Sequence, residues 1–407
     1  MKQNNTTKRI AKNTLMLYFR QILIMIVSLY TVCPKQAIKM VANNEGFLYP
    51  KINNDLCIKC GLCEKRCPVL NPITKESEQT EAYAIINNDE EIRLQSSSGG
   101  VFSAIAQDVI NQDGIVFGAK FDCDFNVIHG YTDSIEGLAD FRGSKYVQST
   151  IGETYKECKT FLDKGKLVLF SGTSCQIAGL QSFLGKKYDN LLLVDIICHG
   201  VPSPLLWSEY KKHHEKKADS RIVKASFRQK DEGWKLFSLG FTFGNASEYR
   251  QTLKNDAYLK LFLKNVCLRE SCYDCKYKTE KRLADITLAD FWGIQNVYPE
   301  LDDDKGTSFV IVHSDKGKQY ISNLKNCIIQ EVALERGVKY NMAYLFSYKL
   351  SRKRKLFFSD LSKFSYEKIS LDKLVKKYTI DSYFAKCCIF VRRILSKIKK
   401  KLRSIFF

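Results

Sequence analysis

One short stretch limits the fold of this chain more than any other, because four cysteines and a proline recur there at fixed spacing. The stretch is "CIKCGLCEKRCP", residues 57–68, with the pattern C-x2-C-x2-C-x3-C-P. Three cysteines at this spacing wrap a loop around one corner of a 4Fe-4S cluster, and the fourth ligates a second cluster. Zinc is the alternative, since C-x2-C pairs also suit tetrahedral zinc, but zinc sites do not require a continuous run closed by proline. The run therefore favours an iron-sulfur module.

A fragment of the same motif stands upstream, where Cys33 is followed by proline. The cluster motifs of bacterial ferredoxins end in this way, yet residues 1–32 contain no cysteine that could precede Cys33 in such a motif. In two-cluster modules the fourth cysteine of one motif ligates the cluster held by the other motif. We therefore predict one 4Fe-4S cluster on Cys33, Cys57, Cys60 and Cys63, one missing cluster, and a Cys67 that has lost its fellow ligands.

Residues 1–32 are apolar rather than cysteine-rich. Eighteen residues, "LMLYFRQILIMIVSLYTV", follow four basic residues and contain one charge, Arg20. The apolar side chains contribute roughly −4 to −5 kcal/mol to membrane insertion and a central arginine costs about 3 kcal/mol, so insertion is marginally favourable. The stretch resembles the first transmembrane helix of O-antigen and polysaccharide flippases, and a divergent amphipathic helix is the alternative. The resemblance implies a fusion near Val32 and a link to polysaccharide biosynthesis.

The basic excess of the chain is concentrated near its C-terminal end. The net charge is +20, and from Lys349 onwards 18 Lys and Arg face four Asp and Glu, a local net charge of +14. Since no zinc finger, helix-turn-helix or aromatic-spaced basic stripe accompanies this charge, we expect no nucleic-acid partner. The stretch "CCIFVRRILSKIKKKLRSIFF" fits a basic amphipathic helix on an anionic membrane surface, or alternatively a solvated basic helix.

The fifteen cysteines are clustered, and no cleavable signal peptide accompanies them. Metal or redox chemistry in a reducing compartment is therefore favoured over a disulfide framework. We expect a cytoplasmic protein, associated with the inner face of the plasma membrane if the basic tail binds lipid.

After a polar linker, "ITKESEQTE", the pattern becomes that of an α/β domain. The runs "AYAIIN", "IVFGAKFD", "NVIHGYTD", "KLVLFS" and "NLLLVDIIC" predict strands, the second and third of them paired. The segment "GGVFSAIAQDVINQDG" predicts a helix with Val101, Phe102, Ile105, Val109 and Ile110 on one face. Because the chain lacks G-x-G-x-x-G and the P-loop pattern, neither a Rossmann nicotinamide site nor a nucleotide hydrolase is supported.

Further cysteines stand near the predicted strand ends. They are Cys175 in "FSGTSCQIAGL", Cys198 in "DIICHGVPSP", and Cys267, Cys272 and Cys275 in "CLRESCYDCKYK". Strand ends are where the sites of α/β domains gather, which favours a second metal site. Buried free cysteines are common, however, so a structural role is the alternative. The "SSSGG" segment suits either a phosphate site or a helix cap, and the tryptophan of "DITLADFWG" suits either a planar ligand or a core.

These segments together resemble the coenzyme F420 hydrogenase/dehydrogenase beta-subunit family. The matching segments, over residues 33–345, are "SSSGGVFSAIA", "RGSKYVQS", "LFSGTSCQIAGL", "DIICHGVPSP", "SCYDCKYK" and "DITLADFWGI". The resemblance implies a flavoprotein in which FAD lies beside a 4Fe-4S cluster on Cys175, Cys198, Cys272 and Cys275, with Cys267 as the alternative ligand. It implies a flavin site around Ser97, Ser98, Gly99, Gly100, Gly143, Ser144, Lys145 and Tyr146. Ser174 stands where the family usually has proline.

We therefore predict an α+β protein. Its parts are a membrane helix (1–32), a truncated ferredoxin-like 4Fe-4S module (33–75), an α/β flavin and cluster domain (80–345) and a basic helical C-terminal region (346–407). The predicted function is electron transfer from a ferredoxin-like donor protein to a small-molecule two-electron acceptor, which the family name does not identify. The alternatives are a fusion product that keeps a cluster and membrane binding without turnover, and a zinc-stabilised interaction module.

Overall fold

The computed structural model of the chain describes residues 30–74, 80–364 and 370–379. Its strands are β1 (Ile38–Ala42), β2 (Leu48–Ile52), β3 (Glu81–Asn87), β4 (Ile115–Phe121), β5 (Val127–Thr132), β6 (Val168–Thr173), β7 (Leu191–Ile196), β8 (Ile222–Gln229), β9 (Ser238–Phe243), β10 (Glu248–Thr252), β11 (Ile286–Asp290), β12 (Ser308–Val312) and β13 (Cys327–Glu331). Its α-helices are α1 (Leu62–Lys65), α2 (Glu90–Gln95), α3 (Val101–Asn111), α4 (Thr154–Asp163), α5 (Ser174–Leu184), α6 (Pro204–Ala218), α7 (Ala257–Leu263), α8 (Asp315–Ser322), α9 (Leu334–Val338), α10 (Arg354–Phe364) and α11 (Leu371–Thr379).

The main sheet has eight strands in the order β13-β3-β12-β11-β7-β6-β4-β5. The neighbours β11, β7, β6 and β4 run parallel, and the remaining pairs are antiparallel. The strands predicted from the apolar runs are confirmed, as is the antiparallel pairing of β4 with β5. This mixed α/β sheet follows the ferredoxin-type segment in the chain.

Helices cover both faces of the parallel strands, which explains why these strands are almost continuously apolar. Val116 and Leu169 pack with Ile105 of α3 in one core. Their neighbours Phe117 and Phe170 belong to a second core, together with α4 and α5. Since successive side chains of a strand point to opposite faces, one apolar run supplies both cores.

The carboxyl ends of β6, β7 and β11 meet at one edge of the main sheet. Thr173 at the end of β6 pairs with Ile196 at the end of β7, which in turn pairs with Leu288 of β11. Helix α5 begins directly after β6, and Cys198 comes two residues after β7. Ligand sites of open α/β sheets lie outside this edge, so the fold brings three candidate loops together there.

A three-stranded antiparallel sheet, β8 to β10, forms a further core with α6, α7, α10 and α11. Phe357 and Leu361 of α10 are buried in that core, as is Trp207 of α6. Asp360 accepts a hydrogen bond of 2.7 Å from the Tyr378 hydroxyl and thereby joins α10 to α11. The sequence indicated only the charge of the C-terminal region, whereas residues 354–379 contribute core packing. The predicted amphipathic stretch beyond them lies outside the described residues.

The ferredoxin-type segment consists of the antiparallel ribbon β1-β2 and the short helix α1. It packs against the rest of the chain near the tip of the ribbon, where Glu45 forms two hydrogen bonds of 2.7 and 2.5 Å with Arg354. The predicted membrane helix lies outside the described residues except for residues 30–32. Within the described ranges, no helix has both the length and the apolar composition that a bilayer span requires.

Candidate functional site

Four cysteines converge outside the sheet edge where β6, β7 and β11 end. Cys175 is the second residue of α5, Cys198 follows β7, Cys272 lies in the 3-10 helix Glu270–Asp274, and Cys275 follows that helix. All four are half-buried and line one cavity. We call them the sheet-edge cysteines. The structure thus brings together the four ligands that the resemblance implied, from three separate parts of the chain.

Local hydrogen bonds fix the direction of Cys175. Thr173 caps α5, and its backbone N–H donates to the side chain of Gln176 at 2.9 Å in a reciprocal capping box. The Thr173 hydroxyl lies 2.9 Å from the Cys175 sulfur. Ser174, found where proline is usual in the family, accepts a hydrogen bond from Arg282. A proline would also suit the first helical position, but it could not accept this bond.

Burial raises the pKa of the Cys198 thiol to about 12, and the neighbouring Cys272 and Cys275 contribute to that rise. Burial likewise raises the pKa of Cys175, with further contributions from Cys275 and Cys198. These mutual effects are consistent with the closeness of the four thiols. Within the described residues no three His, Cys, Asp or Glu side chains are grouped so as to hold one metal ion. In a 4Fe-4S cluster four thiolates share four irons, so a cluster site is wider than a single-ion site.

Cationic side chains surround the sheet-edge cysteines. Lys278 lies near Cys198, Cys275 and Cys272, and its ammonium donates to the carbonyls of residues 199 and 346 at 3.2 and 3.1 Å. Arg282 forms a buried ion pair of 3.1 Å with Asp195. Positive charge beside thiolates favours their ionised, metal-binding form. The donor set and its surroundings therefore fit a cluster better than they fit four inert thiols.

Cys267, the alternative ligand, lies apart from this set. It is fully buried in the apolar core that contains Tyr258 and Leu268. Burial raises the pKa of its thiol, and none of the sheet-edge cysteines contributes to that shift. The structure therefore gives Cys267 a packing role.

The predicted flavin residues form a polar cradle on the same cavity, which has a volume of about 840 Å³. The Ser97 hydroxyl lies 2.7 Å from the Ser144 hydroxyl and accepts a 2.6 Å hydrogen bond from the Ser144 N–H. Ser98 donates to the Thr307 carbonyl at 2.7 Å. The bonds between Ser97 and Ser144 join the loop before α3 to the loop before α4, and the Ser98 bond joins the loop before α3 to the residue before β12. The cradle residues that line the cavity are Ser97, Ser98, Gly100, Gly143, Ser144, Lys145 and Tyr146.

Gly99 differs from the other predicted flavin residues, because it is not among the residues that line the cavity. Its N–H donates to the Ser308 hydroxyl at 3.0 Å. A Cβ atom at this position would lie 2.4 Å from the Ile85 carbonyl oxygen and 2.7 Å from the Ser308 nitrogen. Gly99 thus allows the loop to pack closely on β3 and β12, and we assign it that role in place of flavin contact.

Lys145 places a buried ammonium on the cavity. It donates to the carbonyls of Arg142 and Gly143 at 3.0 and 3.2 Å. Burial lowers the pKa of this lysine to about 7, and Asp140 opposes the shift. Its hydrogen bonds to neutral carbonyls leave the charge without a close carboxylate, so an anionic group in the cavity would stabilise the ammonium.

Two further residues, His129 and Trp292, line the cavity outside the cradle. His129 of β5 is buried, which lowers its pKa to about 4, and its Nε2 lies 3.2 Å from the Ser171 carbonyl oxygen. The sequence left two roles open for Trp292, contact with a planar ligand or packing in a core. Trp292 lines the cavity, and its ring stacks on that of Trp234 with the ring centroids 4.9 Å apart and an interplanar angle of 4°. Sequence patterns around Trp292 suggested a planar neighbour, whereas nothing singled out His129.

The ferredoxin-type cysteines are arranged more openly. Cys33 and Cys63 pack with buried Cys67 in one small cluster, and Cys57 lies near enough to Cys63 to influence the pKa of that thiol. Cys60 is exposed. The structure therefore brings Cys33 to the run of residues 57–67, as the spacing predicted, and buries the thiol of Cys67, which was expected to lack fellow ligands.

Comparisons with known proteins agree with these two cysteine sets. Residues 165–336 match the family model for the C-terminal part of the coenzyme F420 hydrogenase/dehydrogenase beta subunit. Residues 30–71 match the model of the 4Fe-4S dicluster domain. No curated protein matches the chain.

A chain from the F420-reducing NiFe hydrogenase complex of Methanosarcina barkeri, solved with xenon derivatization, is similar in structure. The alignment covers 75% of this chain and 92% of that chain, with 17% identity and a TM-score of 0.42. A similarity of this degree supports no functional argument. The two family models, in contrast, support a functional argument, because one covers the ferredoxin-type cysteines and the other covers the sheet-edge cysteines. The chain thus carries one segment that matches the 4Fe-4S dicluster domain and a longer one that matches the C-terminal part of the coenzyme F420 hydrogenase/dehydrogenase beta subunit.

Proposed function

We propose that this protein is an iron-sulfur flavoprotein oxidoreductase that passes electrons from a low-potential donor protein to a two-electron acceptor. One observation carries the proposal: a single cavity of about 840 Å³ is lined by the four sheet-edge cysteines and by the Ser97 to Lys145 cradle. A cluster and a flavin held on one cavity would lie next to each other. Because both groups would border one cavity, we infer that the sheet edge is a redox centre and more than a structural metal site.

The residues of the cradle suit FAD. Ser97 and Ser144 offer hydroxyl and N–H groups for polar parts of the cofactor, and Lys145 offers a positive charge for its diphosphate or its reduced ring. When bound, the flavin would supply the conversion between one-electron and two-electron chemistry. The chain's own residues would bind and orient it, and the surrounding apolar side chains, including Trp292, would restrict water.

The overall reaction requires two equivalents of a reduced one-electron carrier. Each carrier loses one electron, and the acceptor gains two electrons and a proton. The donor class that fits is a ferredoxin-like protein, and the acceptor is a small molecule that enters the cavity. Thiolate-bound clusters suit a reducing cytoplasm. Membrane association and a link to polysaccharide biosynthesis stay predictions, because the stretches that suggested them lie largely outside the described residues.

Anaerobic purification followed by metal, acid-labile sulfide and flavin analysis tests the proposal. About eight irons and one FAD per chain are expected, four irons for each of two 4Fe-4S clusters. About four irons without flavin would favour a fusion product that keeps one cluster. Zinc without visible absorption would favour the interaction module, since zinc undergoes no redox change.

A matched pair of variants assigns the second cluster. Cys198→Ser should lower the iron content by about four atoms per chain, because it removes a ligand of one cluster. Cys123→Ser replaces an exposed thiol outside both sets and should leave the iron content unchanged. Equal iron in the two variants would reject the ligand role of Cys198.

A further inference from the structure

Tyr277 lies between the two cysteine sets. It is half-buried, comes two residues after Cys275, and lines the cavity together with Cys175 and Cys275. On the other side its hydroxyl donates to the Pro68 carbonyl at 3.4 Å. Burial raises the pKa of this phenol, and the thiols of Cys175, Cys67 and Cys275 contribute to the rise. One aromatic ring therefore contacts both parts of the redox protein.

The contact on the ferredoxin side leads directly to predicted ligands. Pro68 follows Cys67, whose side chain is only 3% exposed. Cys67 packs in the same small cluster as Cys33 and Cys63. Tyr277 thus lies beside the turn that follows Cys67 on one side and borders the cavity of the sheet-edge cysteines on the other.

The joint around Tyr277 is fixed by a second contact. The Ser182 hydroxyl donates to the Arg66 carbonyl at 2.7 Å, and the Arg66 guanidinium donates to the Ser182 carbonyl at 3.4 Å. Ser182 lies on α5, the helix whose first turn carries Cys175. The same helix therefore holds one sheet-edge ligand and the residue preceding Cys67, which restricts movement between the two sets.

The position of Cys67 gives this contact a particular meaning. In a two-cluster module the fourth cysteine of the run points to the other cluster, so Cys67 marks the side on which that cluster would be bound. That side faces Tyr277. At the spacing of a complete motif that ends at Cys33, the three earlier ligand positions hold Leu23, Ile26 and Leu29 in place of cysteine. Tyr277 consequently stands next to the place where a middle relay is absent.

We propose that Tyr277 is the positioning residue of electron transfer between the two cysteine sets, holding them close enough to exchange electrons without a middle cluster. This inference rests on the proposed function. Each transfer takes one electron from the ferredoxin-type centre and adds it to the sheet-edge centre, with no net change at Tyr277. The Tyr277 hydroxyl would anchor the Cys67–Pro68 turn through its bond to the Pro68 carbonyl.

Two measurements on the full chain test this role. The first is electron paramagnetic resonance of the unaltered protein with both centres reduced, where the short separation should split or broaden the two signals. The second is the rate at which an electron passes from the ferredoxin-type centre to the sheet-edge centre, followed by rapid freezing, in Tyr277→Leu. We expect at least about a tenfold loss of rate with unchanged iron content, since misplacement of reacting groups by about 1 Å can cost ~100-fold.

Tyr320→Leu is the matched control. Tyr320 is also half-buried, but it lies on α8, packs against the core of Val116 and Leu169, and is not among the residues that line the cavity. Its transfer rate should stay within about threefold of the unaltered protein, as expected for a site away from the joint around Tyr277.

The outcomes separate this inference from the proposed function. Two centres with uncoupled signals, or a Tyr277→Leu rate equal to that of the control, would overturn the role of Tyr277 and leave the proposed function standing. A single centre in the unaltered protein would overturn both. If Tyr277→Leu loses iron, the rate measurement cannot be used, and the electron paramagnetic resonance of the unaltered protein is the test. Split or broadened signals then support the role of Tyr277, and uncoupled signals overturn it.

Discussion

The two cysteine sets of this protein differ in what holds them in place. The ferredoxin-type cysteines lie on loops and a four-residue helix, beside exposed side chains such as Ile58, which is 58% exposed. The sheet-edge cysteines lie in the first turn of α5, after the buried strand β7, and in or directly after the 3-10 helix Glu270–Asp274, and the buried ion pair of Arg282 with Asp195 lies on the same side of the sheet. We therefore expect the ferredoxin-type set to depend on bound metal for its order, and the sheet-edge set to be positioned by the main sheet.

This difference follows from the apolar area that each region can bury. Among the described residues of the ferredoxin-type segment, Ile38 and Cys67 are buried in its own small cluster, whereas Phe47 is buried in the core of β8 to β10. Segments of about 40 residues or fewer rarely fold without metals, disulfides or partners. Metal binding to such a segment is in effect folding free energy. Cluster loss should therefore be a folding event in one region and a local chemical event in the other.

Removing iron with a chelator under anaerobic conditions should give the largest effect. Proteolysis within residues 33–74 should speed up about tenfold or more, because the segment opens locally, while residues 80–364 stay resistant. Mass spectrometry of the early fragments locates the first cuts. If the first cuts fall in the main sheet, the expectation that only the ferredoxin-type segment unfolds on iron loss is wrong.

Arg282→Met should destabilise the sheet-edge region by about 3–5 kcal/mol, because it leaves the Asp195 carboxylate buried without its partner. The exposed Arg336→Met is the control and should change the free energy of unfolding by less than about 0.5 kcal/mol. Urea unfolding followed by tryptophan fluorescence measures both. A loss below about 1 kcal/mol for Arg282→Met would contradict the importance of this buried pair.

Two glycines sharpen the contrast. Gly99→Ala should cost up to about 3 kcal/mol, because the new methyl group would meet backbone atoms of residues 85 and 308. Gly61→Ala places a methyl group in open space, so no atoms clash with it. Its cost of about 1 kcal/mol comes from the backbone, because a φ of +73° is unfavourable for alanine. Thermal unfolding should detect the first change and proteolysis of residues 33–74 the second. A reversed order would contradict the packing role of Gly99.

The smallest effect concerns flavin affinity. Lys145 has a pKa of about 7 in the protein without ligand, and a bound anion should raise it. The complex then holds one more proton than the free protein above pH 7, so affinity should be level below about pH 7 and fall by up to about tenfold per pH unit above it. Lys145→Met should bind FAD more weakly and lack this decline. Equilibrium titration with FAD at pH 6 to 9 measures the affinity of both proteins. If the affinity of Lys145→Met falls with pH in parallel with that of the unaltered protein, Lys145 is not the titrating group.

Local signals made much of this architecture predictable. Apolar runs marked the strands of the main sheet, and cysteine spacing marked the ferredoxin-type set. The resemblance then gathered Cys175, Cys198, Cys272 and Cys275, which the structure brings together. The joint at Tyr277 could not be predicted, because it pairs residues that are 209 positions apart, although Tyr277 itself stands in the matching segment "SCYDCKYK". The packing role of Gly99 depends on strands β3 and β12 in the same way.

The bond between Glu45 and Arg354 has a consequence for the synthesis of the protein. The two residues are 309 positions apart, and Arg354 also donates to the Leu268 carbonyl at 2.9 Å. During translation the ribbon β1-β2 leaves the ribosome long before Arg354, which holds it in the folded protein, has been synthesised. We therefore expect the cysteines of residues 57–67 to stay accessible for cluster insertion while the main sheet is being synthesised, since Arg354 follows every strand of that sheet in the chain.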